Sequence, residues 1–230
     1  PERFARLLWL DGMDILSDDK TEVLWNNDES KALLKKYKEL TDKGVLPKES
    51  WGDWTTCLQL YETEKLGMIS ASAVSVNRVS DEAPDVAAKT EVARPLVGKA
   101  GFTTNPLMNV VVPKASKHVT EAIDFANFIT NDESQLLFCH EAAIFPSTIE
   151  ASKDDFFKSD MDTLLGRATA MAAESNLYSS DFSLGLINDQ AFVGNIDKAG
   201  AAVIENNEDI DDIFATYEQD CKDLLAEEAE

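Results

Sequence analysis

The sequence lacks the short motifs that identify many enzymes and nucleotide-binding proteins. It contains neither GxGxxG nor GxxxxGK(S/T), so nothing predicts a glycine-rich loop that cradles phosphate. The three cysteines, Cys57, Cys139 and Cys221, lie far apart and form no CxxC, which argues against a metal site. No apolar run approaches the roughly 20 residues that a membrane-spanning helix needs. Cys221 follows helical spacing with apolar neighbours and is predicted to be a small buried residue.

Candidate catalytic groups are few. The chain has 2 histidines, His118 and His140. His118 stands where a helix is predicted to begin, so we expect it to cap that helix. Cys139, His140 and Glu141 offer a nucleophile, a base and an acid, but consecutive residues of a helix point in different directions and cannot form a triad. We therefore expect that the protein is not an enzyme and binds no cofactor.

Acidic residues are abundant. The 43 Asp and Glu residues outnumber the 21 Lys and Arg residues, and the formal net charge is -22. Such a surface repels phosphate backbones and anionic lipids, so we expect no nucleic acid and no membrane surface as a partner. Adjacent acidic pairs such as Asp154-Asp155 follow from this abundance, and the spacing of a calcium-binding EF-hand is missing. We expect no metal, and a carbohydrate-active hydrolase that uses paired carboxylates is a distant alternative.

Hydrophobic periodicity predicts a helix-rich chain. One helix begins at Asn27 or Asp28 and ends at Gly44, because glycine suits a left-handed position after the last turn. The most regular amphipathic pattern covers residues 210–225. Another helix is predicted for residues 119–130, and its buried face is formed by Ala122, Ile123, Ala126 and Ile129.

Two short strands are predicted between these helices. Residues 68–72 form an apolar stretch that ends in hydroxyl-bearing side chains, among them Ser70 and Ser72. Residues 109–112 are mostly β-branched and stop at Pro113, as in a buried strand. A polar turn, Thr103-Thr104-Asn105, precedes this second strand. Both segments therefore place short hydrogen-bonding side chains beside a strand.

Three stretches, taken together, resemble a known family. Residues 30–47 read SKALLKKYKELTDKGVLP, and residues 61–72 read YETEKLGMISAS. Residues 110–138 read VVVPKASKHVTEAIDFANFITNDESQLLF and are followed by IFPS at residues 144–147. The order of these pieces is similar to that of the extracellular solute-binding proteins of ABC importers, the sugar-binding family that includes maltose-binding protein.

The resemblance implies a fold and a division into lobes. The fold class is α/β, of the type II periplasmic-binding-protein kind, in which two lobes close on a solute. Residues 1–95 and 147–230 are expected to form the C-terminal lobe. Residues 98–145 are expected to be a returning segment of the N-terminal lobe, whose upstream part is missing. The strand at residues 109–112 then lacks its neighbours, and an exposed strand edge favours dimerisation or aggregation.

The resemblance also implies a binding site for a sugar. Hydroxyl, amide and carboxylate groups bind sugar hydroxyls, and aromatic rings stack on the apolar face of the sugar ring. Trp9 is also explained by burial in the core, and Asp181 by capping a helix. The expected ligand-binding residues are Ser70, Ser72, Thr103, Thr104, Asn105, Trp9, Tyr178 and Asp181.

The function implied by the resemblance is capture of a sugar or oligosaccharide for delivery to the transmembrane subunits of an ABC permease. The expected location is extracytoplasmic, in the periplasm or as a bacterial cell-surface lipoprotein, with the signal segment outside this chain. The main alternative is a helical interaction module without a small-molecule site, which explains the acidic, helix-rich C-terminal part equally well.

Overall fold

The computed structural model describes residues 3–51, 53–105, 107–142 and 144–228. Helices predominate, and two short strands pair in a two-stranded sheet. Short 3-10 helices cover Lys48–Trp51, Ala151–Lys153 and Asp155–Lys158. The named elements are α1 Phe4–Leu10, α2 Asp28–Asp42, α3 Trp54–Glu62, α4 Val74–Glu82, α5 Pro84–Ala87, β1 Thr103–Thr104, α6 Val119–Ile129, α7 Asp132–Ala142, α8 Leu164–Asn176, β2 Ser179–Ser180, α9 Asp189–Glu205 and α10 Ile210–Glu228.

The chain divides into two compact units, each built from separate stretches of sequence. Unit 1 consists of Pro1–Tyr61, Leu96–Thr104 and Ser180–Glu230. Unit 2 consists of Glu62–Pro95 and Asn105–Ser179. The assignment of residues 1–95 and 147–230 to one lobe, and of 98–145 to the other, stays a prediction.

Unit 1 is organised around the pair α9 and α10, against which α1 and α2 pack. Its core is aromatic and aliphatic, and no side chain in the following group is more than 8% exposed. Burial of this much apolar surface is the main source of stability for the unit. The core residues include Phe4, Leu8, Met13, Ile15, Trp25, Leu34, Phe192, Ile196, Ala199, Val203, Phe214 and Cys221.

The short helix α1 is held at its N-terminus by a residue of α9. Arg3, at the N-cap position, makes no capping hydrogen bond through its side chain. Instead the Ala5 backbone N–H donates to Asp197 Oδ1 at 3.1 Å. A carboxylate at this end of a helix also complements the helix dipole. Phe4 lies directly over Gly200, where an added Cβ would come within 2.7 Å of the Phe4 Cβ. The small residue therefore allows α1 and α9 to approach closely.

Unit 2 contains two smaller packing centres. Helix α4 packs against α5 and α8, and α7 packs against the 3-10 helix at Ala151–Lys153. Phe157 is 1% exposed, and its ring lies near the rings of Phe145, Phe156 and His140. The ion pair of Arg94 with Glu174, 2.5 Å, adds a link between the end of the unit's first stretch and α8. Unit 2 thus buries fewer large side chains than unit 1 in the described part of the chain.

The predicted helix ends agree well with the structure of α2. Asn27 is the N-cap residue, and its side chain accepts a hydrogen bond from the Ser30 backbone N–H at 2.9 Å. Gly44 follows the helix with φ +70°, the left-handed conformation that glycine adopts without strain. His118 does occupy the N-cap position of α6, but its side chain makes no capping hydrogen bond, so that part of the prediction is wrong.

Both strand predictions are wrong. Residues 68–72 and 109–112 belong to no strand in the described structure. Val110 and Val111 are 51% and 78% exposed, although a buried strand was expected. A β-branched segment is buried and paired only where neighbouring strands exist, and the described chain supplies none beside these residues.

The same explanation applies to α6. Its bounds are close to the predicted residues 119–130, but none of its residues is fully buried. Ala122, Ala126 and Ile129 are half-buried, and Ile123 is 47% exposed. The predicted face therefore exists, while most of the surface that should cover it is absent from the described chain.

Cys221 is predicted to resist alkylation in the folded protein. It is 0% exposed in the core of unit 1, and burial raises the pKa of its thiol to about 12. Because the thiolate is the nucleophile, we expect no labelling of Cys221 by iodoacetamide at pH 8 without denaturant, and full labelling in denaturant. A Leu177→Cys variant, at a position that is 87% exposed, serves as the accessible control. Peptide mass spectrometry measures both, and rapid native labelling of Cys221 would contradict the buried position.

Candidate functional site

Three aromatic side chains of unit 1 form a cluster. The ring centroid of Trp9, on α1, lies 4.5 Å from that of Phe102 and 5.2 Å from that of Phe182. All three rings are half-buried. They come from three distant stretches of sequence, so only the packing of unit 1 brings them together. We call Trp9, Phe102 and Phe182 the aromatic cluster.

The stretch that carries Phe102 is fixed against the end of α1. The Ala100 backbone N–H donates to the Leu10 carbonyl oxygen at 3.0 Å. Lys99 Nζ donates to Asp11 Oδ2 at 2.6 Å, and this hydrogen bond together with the negative charge raises the pKa of Lys99. Gly98 touches the Leu10 backbone so closely that no side chain fits there. The position of Phe102 is therefore restricted by the hydrogen bond between Ala100 and Leu10 just before it.

The loop that carries Phe182 is ordered by a single carboxylate. Asp189, at the start of α9, accepts hydrogen bonds from Ser183 Oγ at 2.8 Å and from the Leu184 N–H at 3.1 Å. On the other side, Lys20 Nζ donates to the Gly185 carbonyl at 2.9 Å. These bonds restrict the loop between β2 and α9. They thereby fix the third ring of the aromatic cluster.

Predicted polar ligands adjoin this cluster. Thr103 and Thr104 follow Phe102 directly and are half-buried, while Asp181 precedes Phe182 and is exposed. Of the predicted site residues, the structure thus places Trp9, Thr103, Thr104 and Asp181 in one region of unit 1. Rings beside hydroxyl and carboxylate groups can stack on a sugar and bind its hydroxyls.

The other predicted residues belong to unit 2. Asn105 Nδ2 donates to Asn176 Oδ1, at the end of α8, at 2.7 Å. The Tyr178 hydroxyl lies 3.3 Å from Ser175 Oγ, on the last turn of the same helix. The C-terminal end of α8 therefore brings Asn105 and Tyr178 into one polar group.

Ser70 and Ser72 lie just before α4. Both are exposed, and Ser72 Oγ lies 3.3 Å from Ser75 Oγ. The segment belongs to no strand, so these hydroxyls are presented by a loop rather than by the strand end that the sequence predicted. Whether any of the eight predicted residues contacts a solute stays a prediction.

Sequence reasoning missed several residues of these groups. Phe102 was overlooked, although an aromatic residue directly before a Thr-Thr-Asn turn was a usable signal. Asn176 carries no such signal, because it is an ordinary polar residue at the end of a helix. Its role as the partner of Asn105 depends on a contact across 71 positions of sequence.

An acidic hollow lies elsewhere in unit 2. Its volume is about 380 Å³, and it is lined by residues 62–64 and 82–86. Three of its four carboxylates are engaged in ion pairs, since Arg78 pairs with Glu62 and Glu82, and Lys89 pairs with Glu64; Asp85 is the fourth. The hollow includes no predicted site residue. Within the described ranges, no group of three or more His, Cys, Asp or Glu residues could hold a metal ion.

Solved structures share the fold. A putative oligosaccharide periplasmic-binding protein from Synechococcus sp. MITs9220 is 20% identical, with a TM-score of 0.83 over 97% of this chain and 57% of that one. The maltose-bound MalE3 of T. maritima is 19% identical, with a TM-score of 0.72 over 96% of this chain and 56% of that one. The sugar-binding protein MalE from Xanthomonas citri is 15% identical, with a TM-score of 0.74 over 98% and 55%.

These matches confirm the predicted fold class, a helix-rich α/β fold of the periplasmic-binding-protein kind. The chain spans a little more than half the length of these structures. No curated protein matches the sequence. Among the described helices, none is both long and apolar enough to cross a membrane.

The family follows from the sequence match. The pattern of the bacterial extracellular solute-binding protein family covers residues 3–164, which is more than half of the chain. The matched residues include the three stretches that first indicated the resemblance, and both the family and the structural neighbours are binding proteins. The chain belongs to the bacterial extracellular solute-binding proteins.

Proposed function

We propose that this chain is part of the solute-binding component of an ABC importer and that its solute is a sugar or oligosaccharide. The observation that carries the proposal is the aromatic cluster beside Thr103, Thr104 and Asp181. In a family of solute-binding proteins, half-buried rings next to short polar side chains are suited to carbohydrate.

The chemistry of the site supports this solute class. The apolar face of a sugar ring can stack on an exposed edge or face of Trp9, Phe102 or Phe182. The carboxylate of Asp181 can accept hydrogen bonds from two neighbouring sugar hydroxyls, and the threonine hydroxyls can both donate and accept. Structural neighbours described as oligosaccharide-binding, maltose-bound and sugar-binding are consistent with the same class.

The remaining parts of the proposal come from the family. We place the protein outside the cytoplasm, in the periplasm or attached to the cell surface as a lipoprotein. We propose that it delivers its solute to the transmembrane subunits of a permease. Capture of the solute by two closing lobes, with Ser70, Ser72, Asn105 and Tyr178 as further ligands, belongs to the same proposal.

A binding experiment tests the solute class. Isothermal titration calorimetry and thermal shift are measured on the 230-residue chain with maltose, longer maltodextrins and monosaccharides. We expect heat and a raised midpoint with at least one sugar, because a ligand that binds only the folded state stabilises it. For that sugar, Asp181→Asn should weaken binding about tenfold to a hundredfold, the effect of losing charged hydrogen bonds.

The matched control is Asp18→Asn. Asp18 is also an exposed aspartate of unit 1, but it lies directly before Asp19, outside the three stretches that carry the aromatic cluster. It should leave the dissociation constant unchanged. Absence of heat and of any shift with every sugar would contradict carbohydrate as the solute of this chain, and equal effects of both variants would remove Asp181 from the site.

The alternative of a helical interaction module is favoured by a different observation. Phe125 and Phe128 of α6 are 61% and 64% exposed, which is unusual for a helix whose apolar residues should be covered. Phe125 and Phe128 belong to unit 2, whereas the aromatic cluster belongs to unit 1. Their exposure does not compete with the binding proposal.

A further inference from the structure

The aromatic cluster is assembled from two separately fixed parts of unit 1. Trp9 lies on α1, and the stretch that carries Phe102 is bonded to the C-terminal end of that helix through the Ala100 N–H. Phe182 belongs to the other part, because its loop is bonded to Asp189 at the start of α9. The distance of Phe182 from the other two rings therefore depends on how α1 is placed against α9.

Asp197, on α9, makes a polar contact between these two helices. The Ala5 backbone N–H donates to Asp197 Oδ1 at 3.1 Å, although the two residues are 192 positions apart. Arg3 Nη1 lies 3.8 Å from Asp197 Oδ2. Ala5 lies about one helical turn before Trp9, and a helix of two turns moves as one piece. A displacement of this end of α1 therefore displaces Trp9 as well.

The short helix α1 depends on such contacts for its position. It has 7 residues, and an isolated helix of this length is not stable in water. Packing of Phe4 over Gly200 holds α1 against α9, but the hydrophobic effect is non-directional. A hydrogen bond has a narrow range of length and angle. The bond to Asp197 is therefore suited to define where α1 lies along α9.

The charge of Asp197 adds no net stability at neutral pH. The side chain is 12% exposed, and burial raises its pKa, although the Ala5 N–H and Arg3 favour the charged form. A raised pKa means that ionisation costs more in the folded protein than in water, so stability is lost as the pH rises through that pKa. What Asp197 contributes is therefore the direction and length of its hydrogen bond.

We propose that Asp197 is a positioning residue for the aromatic cluster: its Oδ1 acceptor sets the placement of α1 on α9, which sets the 5.2 Å separation of Trp9 from Phe182 and thereby the affinity for sugar. The last step rests on the proposed function. Groups that bind a ligand must be held to within about 0.5 Å, so a small shift of α1 is enough. Asp197 acts through Trp9 and needs no contact with the solute.

Fluorine NMR of the 230-residue chain, labelled with fluorotryptophan, tests the positioning without any sugar. The chain has 4 tryptophans, and Trp9→Phe identifies the Trp9 signal. In Asp197→Ala we expect this signal to move, because the ring of Phe182 then lies at a different distance. In Asp197→Asn the signal should stay, since the amide oxygen can still accept from the Ala5 N–H.

Leu58→Ala is the matched control for lost stability. Leu58 is 0% exposed and lies on α3, one helical turn after Trp54, so its truncation should destabilise unit 1 and move the Trp54 signal. It should leave the Trp9 signal in place, and Asp197→Ala should do the reverse. Circular dichroism verifies folding. If Asp197→Ala is not folded, it is replaced by Asp197→Ser, whose oxygen is one bond nearer to the backbone and too short to make the same hydrogen bond.

Calorimetry with a sugar that binds the unaltered chain tests the effect on affinity. We expect Asp197→Ala to raise the dissociation constant about tenfold, and Asp197→Asn and Leu58→Ala to stay within about twofold of the unaltered chain. If no sugar binds the unaltered chain, carbohydrate as the solute is contradicted, whereas a moved Trp9 signal still supports the positioning role.

Three results would overturn the proposal. One is an unmoved Trp9 signal in a folded Asp197→Ala variant. Another is a Trp9 shift of equal size in Leu58→Ala or in Asp197→Asn, which would make the shift a general response to lost stability or lost charge. The third is an unchanged dissociation constant in an Asp197→Ala variant whose Trp9 signal has moved.

Discussion

Replacing Phe214 by alanine should reduce the free energy of unfolding by about 3–5 kcal/mol, the range for loss of a buried phenylalanine. Phe214 is 0% exposed and lies on α10 at the centre of unit 1. Its ring centroid is 4.9 Å from that of Trp25 and 5.7 Å from that of Phe4. The substitution removes these contacts and leaves a cavity. The segments that carry Phe4 and Trp25 are close-packed and cannot move far enough to fill it.

Chemical denaturation, followed by tryptophan fluorescence, measures this loss. The control is Thr216→Ala, two residues along the same helix at an exposed position. It should change the free energy of unfolding by no more than about 0.5 kcal/mol, since surface substitutions rarely do more. A small effect of Phe214→Ala, close to that of the control, would show that α10 does not pack against α1 and residue 25 as described.

Gly98→Ala should destabilise unit 1 by about 3 kcal/mol, the upper part of the range for an added group that cannot be accommodated. A Cβ at this position would overlap the carbonyl oxygen of Leu10, which is backbone and cannot rotate away. The segment would have to shift, and the hydrogen bond from the Ala100 N–H to the Leu10 carbonyl would be lost. Phe102 would then lose its position against Trp9.

Gly194→Ala is the matched control. Gly194 lies within α9, and an added Cβ would meet no heavy atom within 4 Å. Alanine should therefore stabilise the helix by about 0.5–1 kcal/mol, because it costs less backbone entropy than glycine. Thermal unfolding compares the two variants. Opposite signs are expected, and stabilisation by Gly98→Ala would contradict the close approach of the two backbones.

Local signals in the sequence predicted several elements correctly. Asn27 caps α2, and Gly44 follows it in the left-handed conformation, because capping depends only on residues within one turn. The family was also indicated by the sequence, since the order of three stretches was enough to recognise it.

Structural features that depend on residues far away in the sequence were predicted poorly. Residues 68–72 and 109–112 have the composition of strands, but composition expresses only suitability for a sheet and not the presence of neighbouring strands. The exposure of Ile123 and Phe125 on α6 has the same cause. Whether a side chain is buried depends on which other residues pack against it. Local periodicity predicts the apolar face of a helix but not the residues that cover it.

The sequence by itself determined the acidic character of the chain, the bounds of α2 and α6 and membership of the solute-binding family, because these depend on composition, local backbone preferences and motif order. Only the tertiary structure decided that Trp9 meets Phe102 and Phe182, that Gly98 is held against Leu10, and that Phe125 and Phe128 of α6 are left exposed. The physical reason is the same for all three. Each depends on the packing of segments that are far apart in the chain, and that packing is determined by the whole fold.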